Sequence, residues 1–231
     1  MCIRDRLQTW SKSQQKQQLP IRSQSSTDSD SDEPFFTKIM EDGQTYQGEV
    51  CRSSGLAHGF GALYSPEDGL LAYKGQFDQD LPHGHGEYYF EDGVAVQYRG
   101  EVRNGYPHGK GEEYRRDGTI QFKGTFAQGL LHGQAAIYRS DGRTLLYRGE
   151  VRSNRLHGQG QTYRRDGTLE YKGQFVYGKA NGQGQFFFED GKSVRYEGDV
   201  LDGKPYGQGE KYNREGGLQF RGTFKGLIID V

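Results

Sequence analysis

Polar and apolar residues alternate in short runs along most of the chain, and the alternation predicts strands with one covered face and one wet face. In Glu170-Tyr171-Lys172-Gly173-Gln174-Phe175, residues Tyr171, Gly173 and Phe175 share one parity, while Lys172 and Gln174 share the other. A second strand-like run, Gly184-Gln185-Phe186-Phe187-Phe188, follows after a Gly-containing loop and leads into Asp190-Gly191. Two strands and two turns make a hairpin followed by another hairpin. Asp-Gly suits tight turns because it supplies positive backbone dihedrals, and it recurs at Asp42, Asp68, Asp92, Asp117, Asp141, Asp166 and Asp190. Glycine normally weakens a strand. Inside these strands its bare surface is expected to let an aromatic ring from a neighbouring strand lie across the sheet.

The runs repeat. An aromatic-x-Gly triplet begins at Tyr46, Tyr73, Tyr98, Phe122, Tyr147, Tyr171, Tyr196 and Phe220, with a step of 24 or 25 residues after the first interval. The triplet glycines of the clearest units are Gly75, Gly100, Gly149 and Gly173. A His-Gly-x-Gly segment or a variant follows each of the first seven, with its glycines at Gly84 and Gly86, Gly109 and Gly111, and Gly158 and Gly160 in the clearest cases. Seven full repeats and the start of an eighth are present. A few rings per unit can hardly offset the entropy of ordering two dozen residues, so a lone repeat should not fold and stability must come from stacked neighbours.

These residues resemble the MORN repeat, the membrane occupation and recognition nexus: Tyr-x-Gly-x-aromatic, then Asn-Gly-x-x-His-Gly-x-Gly, then an aromatic and an Asp-Gly turn. The resemblance covers about residues 44 to 226. Three departures stand out: the aromatic after the first glycine is Phe or Val and never Trp, Asn181 and Tyr206 replace histidine, and Ala135 replaces glycine. The repeats and the resemblance together predict an all-β protein, an elongated single-layer antiparallel sheet of tandem hairpins over residues 35–231.

A second period lies inside the first. The pair after the triplet glycine is Glu49-Val50, Glu101-Val102, Glu150-Val151 or Asp199-Val200 in odd repeats, and Gln76-Phe77, Thr125-Phe126, Gln174-Phe175 or Thr223-Phe224 in even ones. Four residues take the chain from turn glycine to next aromatic in one class (Gly118 to Phe122) and five in the other (Gly142 to Tyr147). The unit is therefore a pair of repeats, and the extra residue suggests a β-bulge in alternate repeats.

Composition separates a tail from this array. All 36 glycines and all 16 tyrosines lie after residue 42, whereas residues 1–34 are rich in Ser, Gln and Asp and are expected to be disordered, with Thr27 to Asp32 a solvated acidic run or an acidic-directed phosphorylation site. No run approaches the roughly 18 apolar residues of a membrane-spanning helix, and mean hydropathy is −0.94. With 30 basic and 31 acidic residues, net charge offers no general attraction to nucleic acid or to acidic membranes. Cys2 and Cys51 are too few for a disulfide framework. The expected location is intracellular and cytoplasmic, peripheral at a membrane or the cytoskeleton.

Candidate chemistry is sparse. Equivalent histidines would stand about 10 Å apart on a sheet with two strands per repeat, too far to share a metal, so turn roles are expected for them. The Gly-x-Gly segments neither precede a helix nor carry Gly-Lys-Ser/Thr, and no nucleophile has a base at fixed spacing. No catalytic residue, cofactor or metal is expected. Arg115, Arg116, Arg164 and Arg165 are candidates for phosphoinositide or phosphatidate headgroups, against a reading as a solvated face. Phe220 and Phe224 begin an eighth repeat without its second strand, and Leu227, Ile228 and Ile229 follow, so this edge is the candidate for a homodimer. The expected function is a non-enzymatic scaffold or adaptor that binds proteins of unknown identity along its sheet. The alternatives are a peripheral module on anionic phospholipid, or the regulatory part of a larger enzyme; the resemblance extends to phosphatidylinositol phosphate kinases and lysine methyltransferases.

Overall fold

The computed structural model describes residues 36–226. The tail expected over residues 1–34, and Leu227, Ile228 and Ile229 of the candidate edge, lie outside the described residues. All regular structure among the described residues is β. The first strands are β1 (Phe36–Ile39), β2 (Thr45–Val50), β3 (Ala57–Tyr64), β4 (Leu71–Asp78), β5 (Leu81–Tyr89), β6 (Val96–Arg103) and β7 (Tyr106–Tyr114). They continue as β8 (Ile120–Ala127), β9 (Leu130–Tyr138), β10 (Leu145–Arg152), β11 (Arg155–Tyr163) and β12 (Leu169–Val176). The last are β13 (Lys179–Phe187), β14 (Val194–Leu201), β15 (Lys204–Tyr212) and β16 (Leu218–Lys225). The sheet is antiparallel with its strands in chain order. Seven hairpins run from β2 to β15, preceded by β1 and followed by β16. The chain divides into two compact units, one ending at Gly118 and taking Phe126–Gly129, the other formed by Thr119–Thr125 and the residues from Leu130 onward.

The parity read from the sequence holds. Tyr171, Gly173 and Phe175 are buried and Lys172 and Gln174 exposed. In each tyrosine-bearing repeat the ring spans both glycines of its hairpin. A Cβ on Gly173 would stand 2.5 Å from the Tyr171 hydroxyl, and one on Gly184 2.5 Å from the same ring. For Gly184 the ring comes from the neighbouring strand, as expected; for Gly173 it comes from its own. Where Phe122 replaces the tyrosine, the atoms nearest a Cβ on Gly124 belong to Gln134 and Ala135 instead, with the Ala135 Cβ at 2.8 Å. The methyl group therefore takes the space that a tyrosine hydroxyl fills elsewhere, which accounts for the glycine lost at residue 135.

Every resolved hairpin opens at the same place. Between the pairs Gly149–Gly160 and Val151–Leu156, the single residue Glu150 faces His157, Gly158 and Gln159. The Tyr147 hydroxyl donates at 2.7 Å to the Glu150 carbonyl that the opening leaves over, and a Glu150 carboxylate oxygen accepts the Gln159 amide at 3.1 Å. The same double use recurs around Gln76, Glu101, Gln174 and Asp199. The alternating Glu/Gln pair thus has one task, accepting a backbone N–H that the ladder leaves over.

The expected bulge in alternate repeats is corrected on two points. This opening, and a one-residue slip before the ladder aromatic, at Leu146 in one class and Glu170 in the other, occur in both classes of repeat. The extra residue of the longer class sits in the Asp-Gly turn. There Arg139 N–H reaches the Thr144 carbonyl, whereas in the shorter class Arg164 N–H reaches Thr168. Asp141 accepts the amides of both Arg143 and Thr144 to hold the longer turn, and Gly142 takes the positive φ of 65°.

The Val/Phe alternation fits rings to gaps. Phe175 stands edge-on to Tyr147 and Tyr171 at 5.2 and 5.3 Å. In the following repeat Val200 takes that register, and Phe186 bridges Tyr171 and Tyr196 at 4.9 and 6.1 Å instead. Tyr46, Phe77, Tyr73, Tyr88 and Tyr98 form the corresponding chain of rings in the first unit.

Hairpin turns between β4 and β5 and between β10 and β11 use Asp80 and Asn154 at positive φ where other turns have glycine. Their side chains accept the Ala57 and Leu131 amides at 2.5 and 2.7 Å. Pro82 and Pro107 occupy the equivalent positions opposite Gly105 and Gly129. Proline has no N–H to satisfy, so glycine suffices there.

Candidate interaction surface

The face opposite the rings carries two cross-strand rows. One runs through Lys74, Glu87, Arg99 and Glu112 in the first unit. In the second it runs through Arg148, Gln161, Lys172, Gln185, Glu197, Glu210 and Arg221. Arg99 pairs with Glu87 at 2.6 Å and Arg221 with Glu210 at 2.6 Å. The Glu87 carboxylate raises the proton affinity of the Arg99 guanidinium through that pair, and Glu87 is held below its ordinary range by the Tyr89 and Arg99 hydrogen bonds against burial. The other row presents His85 and Lys110 in the first unit and Gln134, Gln159, Gln183 and Gln208 in the second, all exposed.

The ring face carries polar residues too. Glu113 stands in register opposite Tyr98, as Thr162 and Lys211 stand opposite Tyr147 and Tyr196, where other repeats place Leu63, Tyr88 or Phe186. Burial pushes its carboxyl up from the ordinary 4.5 to about 7. Burial also lifts the ladder phenols, Tyr171 to about 12.

The four candidate headgroup arginines are distributed over both units, Arg115 and Arg116 in the first and Arg164 and Arg165 in the second. Arg164 is a structural clamp: its guanidinium donates to the carbonyls of Leu169, Phe188 and Phe187 at 2.6, 3.0 and 2.5 Å. Arg116 pairs with Glu91 and stacks over Phe90 at 5.2 Å. Arg165 is exposed. Among the described residues no group of three or more His, Cys, Asp or Glu is placed to hold a metal. His58 lies 3.2 Å from Asp78 at the surface. Cys51 lies in the loop after β2, where hydrogen bonds from Ser53 and Ser54 pull its thiol down to about 6. At the last described strand Phe224 is buried against Tyr196, and Phe220 is half exposed.

The repeat's register decides the family. A MORN-repeat model matches residues 73–94, 98–120, 122–142, 147–169 and 171–193. The chain is a MORN-repeat protein. Each matched segment runs from a ladder aromatic through the opened ladder to the Asp-Gly turn, and the same geometry continues outside the matched segments around Tyr46 and Tyr196. A comparison with curated proteins finds no match. Among the described residues of the MORN array, no helix is long and apolar enough to cross a membrane. The opened ladder was beyond sequence reading, although the periodic Glu/Gln after each triplet glycine was its signal.

Proposed function

We propose that this MORN array is a non-catalytic scaffold that recognises protein partners through the two rows opposite its rings. One observation carries the reading: the first of those rows is continuous across successive strands of each unit and its composition differs between the units, while the hairpins beneath it share one geometry. Variation at positions free of structural duty is what a binding face needs, because changing them leaves the scaffold intact. The second unit's strip of Arg148, Gln161, Lys172 and Gln185 offers hydrogen-bond donors and acceptors with a modest positive charge, suited to a polar protein surface.

The test compares affinity capture by the full chain with capture by the triple variant Arg148→Ala, Lys172→Ala, Gln185→Ala, both checked for an unchanged β spectrum and melting point. Loss of specific partners from the variant supports the proposal. An identical partner set from both chains rejects it.

A further inference from the structure

Along the turn edge from Glu91 onward, the residue before the turn acid is Glu91, Arg116, Ser140, Arg165, Glu189 and Arg214 in successive repeats. Glu91 pairs with Arg116 in the first unit, and Glu189 pairs with Arg214 at 2.6 Å in the second, each spanning 25 residues. Each arginine also stacks on the aromatic next to its partner, Arg116 over Phe90 at 5.2 Å and Arg214 over Phe188 at 5.6 Å. The intervening repeat has the same spacing of 25 residues, from Ser140 to Arg165, with serine in place of the acid. Ser140 and Arg165 are both exposed and, among the described residues, neither has a hydrogen-bond or ionic partner.

We propose that Ser140 is a phosphorylation site whose phosphate completes the missing ion pair with Arg165. A protein kinase would transfer the terminal phosphoryl group of a nucleoside triphosphate. The Ser140 Oγ–P bond forms, the bond from the terminal phosphorus to the bridging oxygen breaks, the hydroxyl proton passes to a base of the kinase, and the nucleoside diphosphate leaves. The product fits the place. A phosphoserine oxygen lies as many bonds from Cβ as a glutamate oxygen does, and it carries up to two charges with three acceptor oxygens. An adjacent aspartate is no obstacle, since Glu91 sits beside Asp92 and Glu189 beside Asp190 in the pairs that form. The charged groups near the phosphate in sequence or in register are Arg139, Asp141, Arg143, Arg165, Asp166 and Glu189, of which Arg139 is committed to the Tyr163 carbonyl at 2.6 Å. Arg143 and Arg165 are the cations left over, and Arg165 alone stands at the 25-residue spacing of the pairs that form.

Two measurements on the full chain test the proposal. In the first, the chain is incubated with MgATP and a panel of basophilic and acidophilic kinases, and phosphate is mapped by mass spectrometry. Phosphate at Ser140, absent from Ser140→Ala, is expected; none at Ser140 from any kinase in the panel overturns the assignment. In the second, phosphoserine is incorporated at position 140 during translation and amide hydrogen exchange is followed in the 164–168 turn. Exchange should slow by about two- to fivefold, the range of an exposed ion pair. The effect should shrink near pH 5, where the phosphate holds one charge, and vanish in Arg165→Gln. Equal slowing with and without Arg165 overturns the pairing.

Discussion

The two units share one skeleton and differ on the surface it presents. In the first, Lys74, Glu87, Arg99 and Glu112 alternate in sign across adjacent strands; in the second, Gln161 between Arg148 and Lys172, and Gln185 beyond Lys172, stand where the acids would be. Beneath both surfaces the tyrosine, its two glycines and an acceptor in the opened ladder recur, save where Phe122 and Ala135 stand in the second unit. Positions that satisfy the backbone or fill a ring's footprint allow little choice. Positions that meet only water are where the two units diverge.

The sharpest way to break that contrast is to place a methyl group under a ring. Gly173→Ala should cost about 3 kcal/mol by overpacking against Tyr171, whereas Ala135→Gly, beside Phe122, should cost about 1 kcal/mol or less. Thermal unfolding of the two variants checks the ranking, and equal losses would refute the account of the ring's footprint.

Next in size is Glu113, the carboxyl on the first unit's ring face. Its folded value near 7 lies above the ordinary 4.5, so the folded state binds the proton more tightly. Stability should therefore fall as pH rises from about 4.5 to about 7 and then level off. Glu113→Gln should abolish that slope and stabilise the protein at pH 8 by about 1–3 kcal/mol. Denaturant titrations at pH 5 and pH 8 read both effects.

Glu150→Ala leaves the Gln159 amide without its acceptor and should cost about 1 kcal/mol. Glu150→Gln should cost almost nothing, since Gln174 serves the same role one repeat later. A melting-point series separates accepting a hydrogen bond from carrying a charge. The smallest effect belongs to the surface rows themselves: Arg99→Ala should cost about 0.5 kcal/mol, reduced by salt. Arg148→Ala, facing Gln161, should cost less still, and a larger loss there would mean that the second unit's row is structural.

Strand parity, the hairpin unit, the pairing of repeats and the family resemblance were all legible in the sequence, because each depends on side-chain period and on residue types that recur at fixed spacing. Asp-Gly announced its turns, and the His-Gly-x-Gly segments marked where each second strand begins. The tertiary structure alone decided which side chains serve the backbone. The one-against-three opening at Glu150 arises from pairing residues on different strands, so the sequence displayed its Glu/Gln signal without disclosing the amide it accepts. The same holds for Arg164, whose basic character suggested an anion and whose register delivered it to three carbonyls. It holds also for Asp80 and Asn154, whose side chains accept the Ala57 and Leu131 amides across the strands. A residue's chemistry is local, but its partner is set by strand register, and only the assembled sheet brings the two together.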